Sequence, residues 1–175
     1  MNATLNAPLP EGTVLAAVPA SARVSEMEFH LALKPVAVPA LVALLHAHGV
    51  IGSRRGFGAR ARIEGLLTGF IDLVYRHDGR YYVLDYKSNR LRDYGPDALD
   101  AAMRDSEYDL QALLYTLALH RSLRARLPGY DYARDLGGVR YLFCRGLDDA
   151  GRGVHARRFE PQLVHALDLL LAGHA

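Results

Sequence analysis

Residues 69–89, GFIDLVYRHDGRYYVLDYKSN, constrain this chain more tightly than any other stretch. Two arms, residues 70–76 and 81–87, are rich in Ile, Val, Leu, Tyr and Phe, and Asp78-Gly79 between them is a strong two-residue turn signal. A hairpin closed at that turn sets His77 opposite Arg80, Val74 opposite Val83 and Asp72 opposite Asp85. Directly opposed residues share a face, with Cβ atoms about 5 Å apart. Because side chains alternate along a strand, Lys87 joins Asp85 on that face, while Ile71, Leu73, Tyr82, Leu84 and Tyr86 line the other. One face therefore belongs to a core, and the other carries two acids and a lysine.

Opposed carboxylates repel, and a sheet accepts that arrangement when a cation lies between them. A divalent metal meets the requirement. Mg²⁺ takes oxygen ligands, one or two of them protein carboxylates, and leaves its remaining positions to water and substrate phosphate. Lys87, two residues past Asp85, is then within reach of a metal-bound water or of a phosphate under attack. For an isolated Asp-X-Lys the plain alternative is a solvated sheet face, and the opposed Asp72 argues against it.

Taken in order, Gly69-Phe70-Ile71-Asp72, then Asp85-Tyr86-Lys87-Ser88, then Gln111 and Tyr115 on a following helix resemble the PD-(D/E)XK nuclease superfamily. Over roughly residues 24–150, with YDLQALLYTLALHRSL and GGVRYLFCRGLD downstream of the hairpin, the chain is similar to RecB-type nuclease domains, the C-terminal domains of exodeoxyribonuclease V beta subunits. The resemblance implies an α/β fold with a restriction-endonuclease-like core, a mixed central β-sheet flanked by helices. It implies metal-dependent hydrolysis of phosphodiester bonds in DNA during repair and recombination. Mg²⁺, with Mn²⁺ as a substitute, would be held by Asp72, Asp85 and the Tyr86 carbonyl, and Lys87 would orient the nucleophile or stabilise developing charge. Gln111 and Tyr115 would order the site and contact DNA. The implied partners are DNA, helicase–nuclease subunits of the RecBCD type and a recombinase. The rival from another class is a catalytically weak module on the same fold that binds DNA or those partners. RecB-type domains also carry a helix upstream of the first strand whose His completes the metal site. No His precedes Val24 here, and His30 lies inside the expected first strand.

A chain of 175 residues with 50% hydrophobic composition is enough for one domain with a substantial core. The net charge of +2 and a pI near 8.8 are only mildly basic, so charge placement must carry any case for a polyanionic partner. That placement is in GSRRGFGARAR, residues 52–62, where Arg54, Arg55, Arg60 and Arg62 alternate with glycines and Phe57. Such a loop can bring several guanidinium groups to phosphates. The single cysteine, Cys144, excludes an intramolecular disulfide and a Cys-based zinc site, and points to a reducing cytoplasm. No stretch approaches the ~20 apolar residues of a membrane span. No G-x-x-x-x-G-K-[ST] phosphate loop occurs, so ATP hydrolysis is not expected of these residues.

Along the chain, residues 1–23 read as a loose, Ala/Pro-rich lead-in and residues 24–175 as the nuclease domain. A first strand is expected over 24–34, ended by Pro35 and Pro39, and a short helix over 40–48 with Gly49 as its stop. Residues 88–100 form an irregular, polar crossing, and 97–103 begin a helix. The best helical pattern is 105–127, with Leu110, Leu113, Leu114, Leu117 and Leu123 on one stripe and Gln111 and Tyr115 sharing a face. A buried strand over 138–145, an edge strand over 155–159 and an amphipathic helix over 161–171 with Pro in its first turn complete the chain.

Overall fold

The computed structural model describes residues 2–174, and they form a five-stranded mixed sheet with helices packed on one face. The strands are β1 (Arg23–Ala37), β2 (Arg62–His77), β3 (Arg80–Lys87), β4 (Leu136–Phe143) and β5 (Val154–Arg157). Their order in the sheet is their order in the chain. All neighbours are antiparallel except β3 and β4, which run parallel and are therefore joined by a long crossover. The helices are α1 (Asn2–Asn6), α2 (Val38–Ala47), α3 (Pro96–Asp105), α4 (Tyr108–Arg126), α5 (Tyr132–Asp135) and α6 (Pro161–Leu171). The crossover contains α3, α4 and α5.

The Asp78-Gly79 turn forms with both residues at positive φ, 47° and 79°. This backbone twist suits a two-residue hairpin. Pairing then follows the expected register from His77–Arg80 through Val74–Val83 to Leu73–Leu84, and stops there. Asp72 and Asp85 are thus one step beyond the ladder and are not a paired couple. Before Leu73, β2 pairs only with β1, and from Asp85 onward β3 pairs only with β4. The two arms open into a fork with the acids at its apex.

A second departure concerns the faces. Ile71 belongs to the main core with Phe29, Val74 and Val83, whereas Leu73 and Tyr75 belong to a separate cluster on the opposite face with Tyr82, Leu84 and Leu142. Strict alternation would have put Ile71 with Leu73. Beside this change of face the β1–β2 ladder lapses: Ser25 pairs with Leu73 and Met27 with Ile71, while Glu26 between them is left-handed at φ 51°. Ile71 and Leu73, two residues apart on β2, thus lie on opposite faces of the sheet.

Two of the shifts from the expected boundaries have a visible cause. Pro35 does not end β1; the register slips between Leu33 and Val36, a bulge that accommodates the missing N–H, and the strand continues to Ala37. Pro39 falls in the first turn of α2, where a proline is tolerated. The segment 105–127 is split by Glu107 at φ 57°, which separates α3 from α4 and makes Tyr108 the first residue of the longer helix.

The lead-in is not loose. Ala7, Leu9, Leu15 and Val18 are buried, and Leu9, Leu15 and Val18 cover the sheet face opposite α4, where two short 3₁₀ turns, Leu15–Ala17 and Ala20–Ala22, lie. Glu11 anchors this cover by accepting from Arg140 Nε at 2.9 Å and from the Tyr75 hydroxyl, both on the sheet. An Ala/Pro-rich sequence without periodicity can still bury a face when a few aliphatic side chains and one charge meet the right partners. No helix among the described residues is long and apolar enough to cross a membrane.

Candidate active site

The fork between β2 and β3 opens beneath the N-terminal half of α4. Asp85 pairs in register with Tyr141 of β4, and Lys87 with Phe143, so all four sit toward α4. Asp85 is 3% exposed. Its Oδ2 lies 2.6 Å from Lys87 Nζ, yet no donor is aligned on that buried oxygen in hydrogen-bond geometry. Burial pushes the Asp85 carboxyl above the ordinary carboxylate range; the Lys87 ammonium pulls it down and the charge of Asp72 pushes it further up, with burial prevailing.

Asp72 reaches across the fork and accepts from the Tyr86 backbone N–H at 2.9 Å. That N–H would otherwise have bonded to β2 had the ladder continued. Lys87 Nζ donates to Gln111 Oε1 at 2.9 Å, and the Tyr141 hydroxyl donates to the same oxygen at 3.0 Å. Gln111 Nε2 in turn donates to the Tyr115 hydroxyl oxygen at 3.0 Å. Both roles of the amide are thereby fixed. Burial and the two aspartates raise the Tyr115 phenol to about 12, so it stays protonated at neutral pH.

Of the residues expected from sequence, Asp72, Asp85, Tyr86, Lys87, Gln111 and Tyr115 come together in this one network. The arginines divide. Arg54 is ion-paired with Glu107 at the head of α4 and lies over the Phe57 ring at 5.0 Å. Arg55, Arg60 and Arg62 are exposed, with no ion-pair partner among the described residues. Sequence reasoning missed Tyr108 and Tyr141, whose rings lie 3.9 and 5.1 Å from Lys87 Nζ. The spacing held a signal for Tyr108, since it stands three residues before Gln111 on the same helix face.

Whether a divalent cation suits the fork is a question of donors. Asp72 and Asp85 offer carboxylate oxygens, and the buried Oδ2 of Asp85 has the Lys87 ammonium 2.6 Å away as its counter-charge. This donor set fits a hard ion that takes one or two carboxylates and completes its shell with water or phosphate. Among the described residues, no group of three or more His, Cys, Asp or Glu side chains is placed to hold a metal. His30 cannot serve, because its ring sits on the outer face of β1 beside Glu28.

A fold of this topology with two acids and a lysine at the parting of its central strands defines a nuclease class. The sequence matches the family model of the PD-(D/E)XK nuclease superfamily over residues 13–171, and the chain belongs to that superfamily. Within it, the chain is similar to RecB, a subunit of the RecBCD enzyme. It is 42% identical to the RecBCD enzyme subunit RecB of Escherichia coli K12 over 181 aligned residues, covering 99% of this chain and 15% of that protein. The corresponding figures for the Haemophilus influenzae subunit are 45% identity, 83% of this chain and 12% of that protein. For Mycobacterium tuberculosis H37Rv they are 52%, 54% and 9%. The chain thus spans only a small fraction of the relatives it matches.

Proposed function

We propose that this chain is a RecB-type nuclease domain that hydrolyses phosphodiester bonds in DNA with a divalent metal, and that residues 7–18 serve it as a packed cover and not as a tether. One observation carries the reading: a buried carboxylate, Asp85, stands 2.6 Å from a lysine at the apex of a strand fork, with a second acid, Asp72, close enough to raise its proton affinity. Structural ion pairs seldom include a third, repelling charge unless a cation completes them. Asp72, Asp85 and the Tyr86 carbonyl would hold Mg²⁺ or Mn²⁺. A bound ion of this kind supplies an activated water and a counter-charge for the phosphate.

The chain's own residues do the rest. Lys87, steadied by Gln111, presents its ammonium where negative charge builds on the phosphate under attack. Tyr115 keeps its proton and can donate it as a hydrogen bond to a phosphate oxygen. Arg55, Arg60 and Arg62, with Arg54 once it leaves Glu107, hold neighbouring phosphates; such contacts position a strand and read no bases. A cytoplasmic setting agrees with Cys144 as the only cysteine. DNA, helicase–nuclease subunits of the RecBCD type and a recombinase are the partners we assign to it.

A second reading, a weakly catalytic module that binds DNA or those partners, is favoured by the lack of a third acidic or His ligand beside the pair among the described residues. Degradation of labelled linear single- and double-stranded DNA across Mg²⁺ and Mn²⁺ titrations, with Asp85→Ala alongside, separates the two. Cleavage lost in the variant supports the enzyme. A folded wild-type chain that binds DNA and cleaves none at any metal concentration supports the module.

A further inference from the structure

We propose that Tyr108 is a positioning residue for Lys87, holding the ammonium over the site with the face of its ring. The inference rests on the nuclease reading above, in which Lys87 acts on the reacting phosphate. A lysine side chain is a flexible four-carbon stem ending in a point charge, and nothing in its own chemistry fixes where that charge sits. Here the surroundings fix it. Gln111 Oε1 accepts from Nζ at 2.9 Å, and Asp85 Oδ2 faces it at 2.6 Å without hydrogen-bond alignment. The ring of Tyr108 closes a further side, its centroid 3.9 Å from Nζ, well inside the ~6 Å over which a ring face attracts a cation.

Tyr108 is itself held. Its hydroxyl donates to Asn89 Oδ1 at 3.1 Å, and its ring stacks on Tyr141 with centroids 5.9 Å apart and planes inclined by 26°. The left-handed Glu107 starts α4 at Tyr108, which sets the ring one turn before Gln111 and places ring and acceptor on one helix face. Lys87 has only 12% of its side chain exposed, so the attraction acts in partly desolvated surroundings, where it is strongest. Simple packing and ring-face attraction predict different things: packing needs the volume, whereas the ammonium needs the π-face.

The test compares Tyr108→Leu with Tyr108→Phe in two measurements. In cleavage of a labelled oligonucleotide with Mg²⁺, Tyr108→Leu is expected to lower kcat about ten- to thirtyfold with KM nearly unchanged, and Tyr108→Phe to restore most of the loss. By NMR of the metal-free protein, the Lys87 ε-methylene protons are expected upfield in wild type and in Tyr108→Phe, through the ring current, and to move downfield in Tyr108→Leu, where only the ring of Tyr141, 5.1 Å from Nζ, still shields them. Equal loss in both variants would assign the effect to the hydroxyl bond with Asn89 and overturn the proposal. So would a raised KM with unchanged kcat, which would make Tyr108 a DNA contact, or an ε-methylene shift indifferent to the ring. Lys87→Met, assayed alongside, reports on the nuclease reading by itself: if it cleaves like wild type that reading fails, while the NMR comparison still decides whether the ring holds the lysine.

Discussion

Tyr86 donates its backbone N–H to Asp72 Oδ2, 2.9 Å away, at the point where β2 and β3 cease to pair. A side-chain carboxylate has replaced the main-chain carbonyl that the next rung would have offered. The bond does two things at once. It satisfies a donor stranded by the opening of the fork, and it fixes Asp72 relative to the strand that carries Asp85 and Lys87. The site is therefore a consequence of where the hairpin ends, and not only of which residues it carries.

Asp85 should titrate above the usual carboxylate range in the metal-free protein, because burial and Asp72 outweigh Lys87. A carboxyl whose affinity for protons is raised by folding keeps its proton after the unfolded chain has lost it. Its contribution to stability accordingly falls as pH rises from about 4 and levels off once Asp85 has ionised. Carbon-detected NMR titration of the side-chain carboxyl gives the midpoint, and Asp72→Asn should move it downward. A midpoint at or below that of a free aspartate, or one indifferent to Asp72→Asn, contradicts this balance of burial against charge.

Gly69 admits no side chain: a Cβ there would stand 2.8 Å from the Phe29 ring, which is buried and edge-on to Tyr115 at 5.7 Å. Gly69→Ala should destabilise the protein by about 1–3 kcal/mol through overpacking, and adding Phe29→Leu should recover part of the loss. Urea unfolding measures both. Additive losses in the double variant would show that the two positions do not collide.

Glu11 and Arg140 are a buried pair, their side chains 7% and 8% exposed. Removing the acid alone leaves a guanidinium inside the sheet's second face, so Glu11→Gln should cost about 3 kcal/mol or more. Glu11→Gln combined with Arg140→Met should cost less than Glu11→Gln by itself. A shift of the urea midpoint too small to measure in the single variant would mean that residues 7–18 do not cover that face in solution.

The exposed arginines of the basic loop are predicted to bind phosphates. Replacing Arg55, Arg60 and Arg62 together by Gln should weaken DNA binding uniformly across sequences, and lower the slope of log affinity against log salt by roughly 0.7–0.9 for each phosphate no longer neutralised. Fluorescence anisotropy at several ionic strengths reads both quantities. A drop in affinity confined to one sequence, or an unchanged slope, would rule out the phosphate role.

What the sequence made legible follows from how local each signal is. The Asp-Gly turn, the register from it as far as Leu73–Leu84 and α6 at Pro161–Leu171 rest on neighbouring residues and formed as read, whereas the expected Asp72–Asp85 pair did not. Asp72, Asp85, Lys87, Gln111 and Tyr115 were visible as an ordered set. The ring of Tyr141 was not, because β4 is buried along its whole length and a strand without alternation does not announce which face a side chain takes. Tyr108 shares a helix face with Gln111 by its spacing, but that the ring meets Lys87 depends on how α4 docks on the sheet. The change of face between Ile71 and Leu73 was equally invisible, since it breaks the alternation from which the faces were read. The packing of residues 7–18 depends on a partner, Arg140, far along the chain.

The chain-ordered sheet has a consequence for assembly. β1, β2 and β3 form a meander of neighbouring segments, so Asp72 and Asp85 can be brought near each other by short-range closure alone. Gln111, Tyr141 and Phe143 arrive only when the crossover over residues 88–135 has been threaded and β4 has docked in parallel against β3. Pairings of high sequence separation are the slow ones. The acids thus rest on local closure and the restraint on Lys87 on distant segments, so the network around Lys87 is complete only once β4 has joined the sheet.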